Sequence, residues 1–154
     1  MSLQFFEDFQ PGESRTFGNY TLGEDEITDF AHDYDPQPFH IDNEAARNSI
    51  FGGLIASGWH TAAVMMQLFV ENILQDCATV GSPGFDELRW HKPVRPGDTL
   101  HVEATCMDTR PSASRPEIGA VDYALKVHNQ HDELVASVVY IVLLRRREQG
   151  HAQG

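Results

Sequence analysis

Residues His32 to Asp42 read HDYDPQPFHID. They place a carboxylate, Asp35, shortly before an imidazole, His40, with Pro36 and Pro38 between them. Proline fixes its own φ and removes a backbone donor, so the stretch reads as a stiff loop, neither helix nor strand. An acid and an imidazole held at fixed geometry can share one water. One group takes a proton as the water oxygen attacks a polarised carbon, and the other supplies a proton to the neighbouring carbon. That is addition of water across a double bond, or its reverse. Gln37, between the two, can hydrogen-bond locally. The same residues also fit an ordinary turn acid beside a satisfied, half-buried histidine. His32, Asp33, Asp35, His40 and Asp42 match no common zinc or calcium spacing, so no metal is expected.

A second element follows, Phe51-Gly52-Gly53-Leu54-Ile55-Ala56-Ser57-Gly58. It leads into a long apolar segment that reads as a helix to about Asp76. A helix N-terminus offers unpaired backbone N–H groups and a partial positive charge. Glycine lets a substrate come close to that backbone. Such N–H groups can stabilise an enolate oxygen on a thioester carbonyl. A thioester bound at Gly58 would acidify its α-carbon and leave the neighbouring carbons to the acid and the imidazole. The other reading of these glycines is a tight turn with close packing.

The remaining chain must position these two elements. Arg15 to Leu22 reads as a strand after the turn at Pro11-Gly12. Glu24 to Asp33 reads as a short helix with Ile27, Phe30 and Ala31 on one face. A helical turn spans Asn43 to Asn48, with Asn43 as its cap. The helix after Gly58 is apolar around most of its circumference, with only Gln67, Glu71 and Gln75 forming a polar stripe, so it is expected to be buried. Glu87 to Val94 precedes a turn at Arg95-Pro96-Gly97-Asp98. Thr99 to Met107 alternates, as do Val121, Tyr123, Leu125 and Val127. Asn129 to Glu133 is a turn, and Leu134 to Leu144 is apolar on both faces, as a strand central in a sheet would be. One strand, then helices, then four strands predict an α+β domain: an antiparallel sheet wrapped around a long central helix. The outer sheet face is then apolar along the last strand, so a loop or partner chain is expected to cover it.

With 154 residues, the chain is long enough for one domain with its own core. Hydrophobic content of 41% and charged content of 22% fit a globular protein. A formal charge of −12 disfavours nucleic acid and anionic membrane as partners. No run nears the roughly 20 apolar residues that span a bilayer. The start, MSLQFFEDFQPGE, lacks a basic segment followed by an apolar one, so no signal peptide is expected. Cys77 and Cys106, the two cysteines, read as reduced thiols in or near the core, which fits a cytoplasmic protein. The polar residues 146–154 are expected to form a flexible tail on a domain spanning 1–145.

DPQPFH, from Asp35 to His40, resembles the hydratase motif of the MaoC-like (R)-specific enoyl-CoA hydratase family, which has a hotdog fold. The family pattern is Asp-x-Asn-Pro-aliphatic-His. Gln37 stands here in place of asparagine and Phe39 in place of the aliphatic residue. FEDFQPGES near the start, IFGGLIASGWHT at the central helix and HKPVRPGDTL at the strand turn are similar to the family as well. The resemblance thus covers nearly the whole chain. It implies Asp35 and His40 as the catalytic dyad holding the water, with the Gly58 N–H as oxyanion donor. It also implies a homodimer or higher oligomer, with the acyl chain entering a pocket near the subunit interface. Gln37, Gly53, Ser57 and Arg95 are the candidate substrate-binding residues. Arg89, Lys92, Arg95 and Arg47 are cations that can meet the phosphates of coenzyme A, here part of the substrate rather than a separate cofactor; solvated surface charge is their other reading. Trp59 and His60 border the pocket or pack in the core, and Met65 and Met66 read as core. The expected activity is hydration of trans-2-enoyl thioesters or the reverse dehydration. A hotdog thioesterase and a catalytically silent acyl-thioester binding module are the competing readings.

Overall fold

The computed structural model describes residues 2–148. Five antiparallel strands curl around one long helix. They are β1 (Ser14–Thr21), β2 (Thr79–Trp90), β3 (Thr99–Pro111), β4 (Ile118–His128) and β5 (Leu134–Arg145), in spatial order β1-β3-β4-β5-β2. The helices are α1 (Glu24–Tyr34), α2 (Pro38–Ile41), α3 (Asn43–Arg47) and α4 (Gly58–Asn72). This is the hotdog arrangement that the motif resemblance implies.

β3 from Thr99 to Cys106, and β4 along most of its length, alternate between buried and half-buried positions, and the buried set faces α4. From α4 come Val64, Met65, Leu68 and Phe69, and from the sheet Leu100, Val102, Cys106, Tyr123, Leu125 and Val142. Phe69 is central, with its ring edge-on to both Tyr123 and Tyr140. β5 lies between β4 and β2, with Val138, Val142 and Leu144 buried and Val139, Ile141 and Leu143 of its other face half-buried. The turn at Asn129–Glu133 is held by the Asn129 side chain, whose oxygen accepts from the His131 and Glu133 amides.

Several boundaries differ from the sequence expectation. α4 is not buried all round: Trp59, Ala63 and Val70 are exposed, because a single sheet covers one side of a helix. It also ends at Asn72, and residues Leu74–Asp76 form a separate 3-10 turn. β2 begins at Thr79, well before Glu87. Its first half contains Gly81, Pro83 and Gly84, which read as turn residues. An edge strand accommodates them through breaks in its register against β5. The stretch around His40 is not all loop. Pro38 occupies the first position of α2, where its missing N–H costs nothing, and α2 carries His40. The cap of α3 is Asp42 rather than Asn43; Asp42 Oδ1 accepts from the amides of Glu44 and Ala45. The first tail residues are anchored: Arg147 donates from both terminal guanidinium nitrogens to the Asp8 carboxylate, and Arg146 Nε donates to Glu7. The rest of the expected tail, 149–154, lies outside the described residues. Among the described residues, no helix is long and apolar enough to cross a membrane.

Candidate active site

Asp35 is the residue that ends α1, and its N–H is held by the Ala31 carbonyl at 2.8 Å. Pro36 then forms a three-residue turn, closed by the Gln37 N–H donating to the Asp35 carbonyl at 2.8 Å, and Gln37 runs extended into α2, which turns His40 back toward Asp35. His40 is 5% exposed. Its Nδ1 lies 2.8 Å from the Ile55 carbonyl oxygen. A carbonyl only accepts, so Nδ1 carries the proton and Nε2 faces the site. Nε2 is 3.4 Å from Asp35 Oδ2. The two groups are therefore adjacent, as the motif requires.

The carboxylate is held from two sides. Ser57 Oγ donates to Oδ2 at 2.7 Å, and Gln37 Nε2 donates to Oδ1 at 2.7 Å. Burial by itself pushes the Asp35 pKa up. The hydrogen bonds donated by Ser57 and Gln37 outweigh it and hold the carboxyl below its ordinary value. Asp35 is thus an ionised acceptor at neutral pH.

Ser57 also caps α4, its Oγ accepting from the Trp59 amide at 3.2 Å. It is fully buried. Ser57 was expected to bind substrate; it touches Asp35 and the helix end and is not among the residues that line the pocket. The Gly58 N–H, at the first helical position, has no acceptor among the described residues. The absent side chain of Gly58 is explained by Trp90. A Cβ built there would lie 2.4 Å from the indole, whose Nε1 donates to the Gly58 carbonyl at 2.9 Å. The glycine thus admits a tryptophan from β2 as well as leaving the helix end bare.

Asp35, His40 and Gly58 line one pocket of about 470 Å³, with Gln37, Phe39, Phe51, Trp59, Thr61, Trp90 and Lys92 among its walls. Trp59 and Trp90 meet edge-to-face at 5.2 Å, and Phe39 and Phe51 pack at 5.2 Å. A second cavity, about 510 Å³, opens near Phe9, Arg15 and Cys77 and contains none of the dyad residues.

The other candidates separate. Gly53 is not in the pocket wall, and a Cβ there would meet Arg95 Nη1 at an ordinary contact distance of 3.4 Å. Arg95 is outside the wall too, and donates to the Phe51 carbonyl at 2.6 Å, bracing the loop before α4. Arg89 pairs with Glu87 and Lys92 with Glu133; of the four basic candidates only Lys92 lines the pocket. Arg47 ends α3, exposed and outside it. Of the two residues that could border the pocket, Trp59 does, while His60 turns inward to Glu26. Met65 is core and Met66 half-buried against it. Sequence reasoning missed the Ser57–Asp35 bond and Trp90. The buried serine just before a helix was a signal for the first; nothing local signalled the second. Among the described residues, no group of three or more His, Cys, Asp or Glu side chains is arranged to hold a metal ion.

The chain is similar to known proteins along most of its length. A crystal structure of the MaoC-like dehydratase from Rhodospirillum rubrum is 42% identical, with a TM-score of 0.85, covering 94% of this chain and 98% of that one. The uncharacterized protein YdeM of Bacillus subtilis is 29% identical over 140 residues, 91% of this chain and 98% of YdeM. The mesaconyl-CoA hydratase of Cereibacter sphaeroides is 38% identical over 69 residues, 45% of this chain but 20% of the hydratase. A family model for the MaoC like domain matches residues 8–128, a span that holds Asp35, His40, Ser57 and Gly58, and the chain belongs to that family.

Proposed function

We propose that this protein adds water across the trans-2 double bond of an acyl-CoA thioester to give the 3-hydroxyacyl-CoA, or runs the reverse dehydration. One observation carries the reading: two proton acceptors, Asp35 Oδ2 and His40 Nε2, stand 3.4 Å apart in a pocket that Gly58, at the start of α4, also lines. A water donating one proton to each acceptor presents its oxygen to C3. As the C3–O bond forms, one acceptor takes a proton and the π electrons move to the thioester oxygen. The Gly58 N–H stabilises that enolate oxygen. Return of one proton from the dyad to C2 gives the hydroxyacyl thioester, with all atoms of the water retained. A relative named for hydrating a CoA thioester supports the substrate class.

The aromatic walls suit an acyl chain or pantetheine, and Lys92 suits an anionic end of the ligand. We propose a homodimer. Trp59, Ala63, Met66 and Val70 recur along one side of α4 and are exposed or half-buried, an apolar stripe that a second copy would cover. Two buried, unpaired thiols fit a cytoplasmic location.

The test is an assay with short and medium trans-2-enoyl-CoA, following both loss of conjugation and release of free thiol. Loss of the double bond without thiol release is expected; thiol release would make the protein a hydrolase. Asp35→Asn and His40→Gln are each expected to abolish hydration while leaving the fold intact. Unchanged turnover in both would refute the dyad.

A further inference from the structure

His60 is 3% exposed and takes no part in the chemistry above. Its Nε2 lies 3.0 Å from Glu26 Oε2, and the Tyr20 hydroxyl donates to the same oxygen at 2.7 Å. The carboxylate accepts, so Nε2 of His60 carries the proton. Nδ1 is buried and without a hydrogen-bond partner among the described residues. Above the ring, Phe30 stacks nearly parallel, 4.5 Å between centroids and 8° between planes. Glu26 and Phe30 stand one turn apart on α1, so a single histidine grips that helix at two points.

A buried ring nitrogen without a partner opposes folding. Packing alone would favour an apolar side chain here, so the histidine needs another explanation. Its place in the chain supplies one. His60 is the third residue of α4 and its amide donates to the Ser57 carbonyl at 3.0 Å. Asp35 caps the far end of α1, its amide on Ala31, the residue after Phe30. Asp35 and Ser57 then meet side chain to side chain. A closed circuit results: Asp35 to Ser57, through one helical turn to His60, across to Glu26 and Phe30, and along α1 back to Asp35.

We propose that His60 is a positioning residue, locking α1 to the first turn of α4 through Glu26 and Phe30 so that the Asp35 carboxylate stays on Ser57 and at a set distance from the Gly58 N–H. The inference rests on the hydratase reading for its kinetic consequence, and on geometry alone for its effect on Asp35. With the lock removed, α1 slides and the Ser57–Asp35 bond lengthens. Asp35 loses a donor to its charged form, and its titration rises toward that of an ordinary carboxylate.

The experiment uses the full chain with His60→Leu, His60→Gln and Glu26→Leu. The side-chain carboxyl carbon of Asp35 is titrated by NMR, and kcat and KM are measured with an enoyl-CoA. His60→Leu is expected to raise the Asp35 titration midpoint and to lower kcat about tenfold with KM within twofold, since misplacement of a reacting group falls on the chemical step. His60→Gln, which keeps a donor for Glu26, is expected to restore most of both. Glu26→Leu cuts the same contact from the α1 side, where the side chain is 37% exposed, and decides the matter if His60→Leu does not fold. An Asp35 titration unchanged in the folded variants overturns the lock, and so does an unchanged kcat in a protein that hydrates. Absence of hydration by the unmodified protein refutes the functional reading instead, and the Asp35 titration still decides the lock.

Discussion

Ser57→Ala is the most informative single change near the dyad, because Ser57 serves two neighbours from a fully buried position. It donates to the ionised Asp35 at 2.7 Å and accepts from the Trp59 amide as the cap of α4. A hydrogen bond to a charged group contributes about 1.5–3 kcal/mol. Loss of a helix cap costs about 1 kcal/mol. The two share one oxygen and do not simply add, so the variant is expected to lose about 2–4 kcal/mol at neutral pH. The Asp35 contribution has a definite sign. Its folded pKa lies below its unfolded one, so it stabilises the fold above the unfolded value, near 3.9, and this is lost as pH falls through the folded value. The Ser57→Ala deficit is therefore largest near neutral pH. In acid it shrinks toward the cap alone, about 1 kcal/mol. Urea unfolding of both proteins, from neutral pH downward as far as they stay folded, measures the difference. A deficit that does not change with pH would mean that Ser57 acts only as a cap. A deficit below about 0.5 kcal/mol at every pH would refute both contacts.

Two further outcomes follow from packing and burial. Gly58→Ala drives a methyl into the Trp90 indole, 2.4 Å away in the present geometry, so the indole must leave the Gly58 carbonyl; a loss of about 1–3 kcal/mol and a shift in tryptophan fluorescence are expected, with stability recovered in part by adding Trp90→Leu, and an unchanged emission spectrum would count against the contact. Cys77 and Cys106 are buried, and burial pushes both thiols up to about 11. Both should resist a thiol reagent at pH 8 in the native protein and react fully in denaturant, whereas rapid native labelling would contradict their placement.

The order of elements was legible because hydrophobic period separates strands from helices. Residues 99–107 and 121–127 alternate, and the alternation matches the buried rows of β3 and β4. The start of β2 was not legible. Gly81, Pro83 and Gly84 have turn chemistry, and only the pairing with β5 makes a bulged edge strand of them. α2 was misread for the same kind of reason. Two prolines argue against a helix interior, yet Pro38 stands at a helix start, where it is at home. One-sided burial of α4 was hidden because its composition is apolar all round, while the single chain provides one sheet to cover it.

The site divides along the same line. Asp35 and His40 are near in sequence, and a short stiff segment leaves few ways to hold them apart, so their partnership can be read from spacing. Their support cannot. Ser57 lies 22 residues from Asp35, Ile55 lies 15 from His40, and Trp90 lies 32 from Gly58. Each contact exists because α4 enters the sheet beside α1 and under the end of β2. Together they prepare the two groups for the proposed chemistry. The Ile55 carbonyl selects the tautomer that leaves Nε2 open. Ser57 and Gln37 keep Asp35 charged against the pull of burial. An aspartate and a histidine without these neighbours would remain a turn acid and a packed ring. The proposed hydratase chemistry therefore rests on the meeting of three segments, 35–40, 55–58 and the end of β2, rather than on the motif alone. Transplanting DPQPFH without the other two should carry over the residues and not the activity.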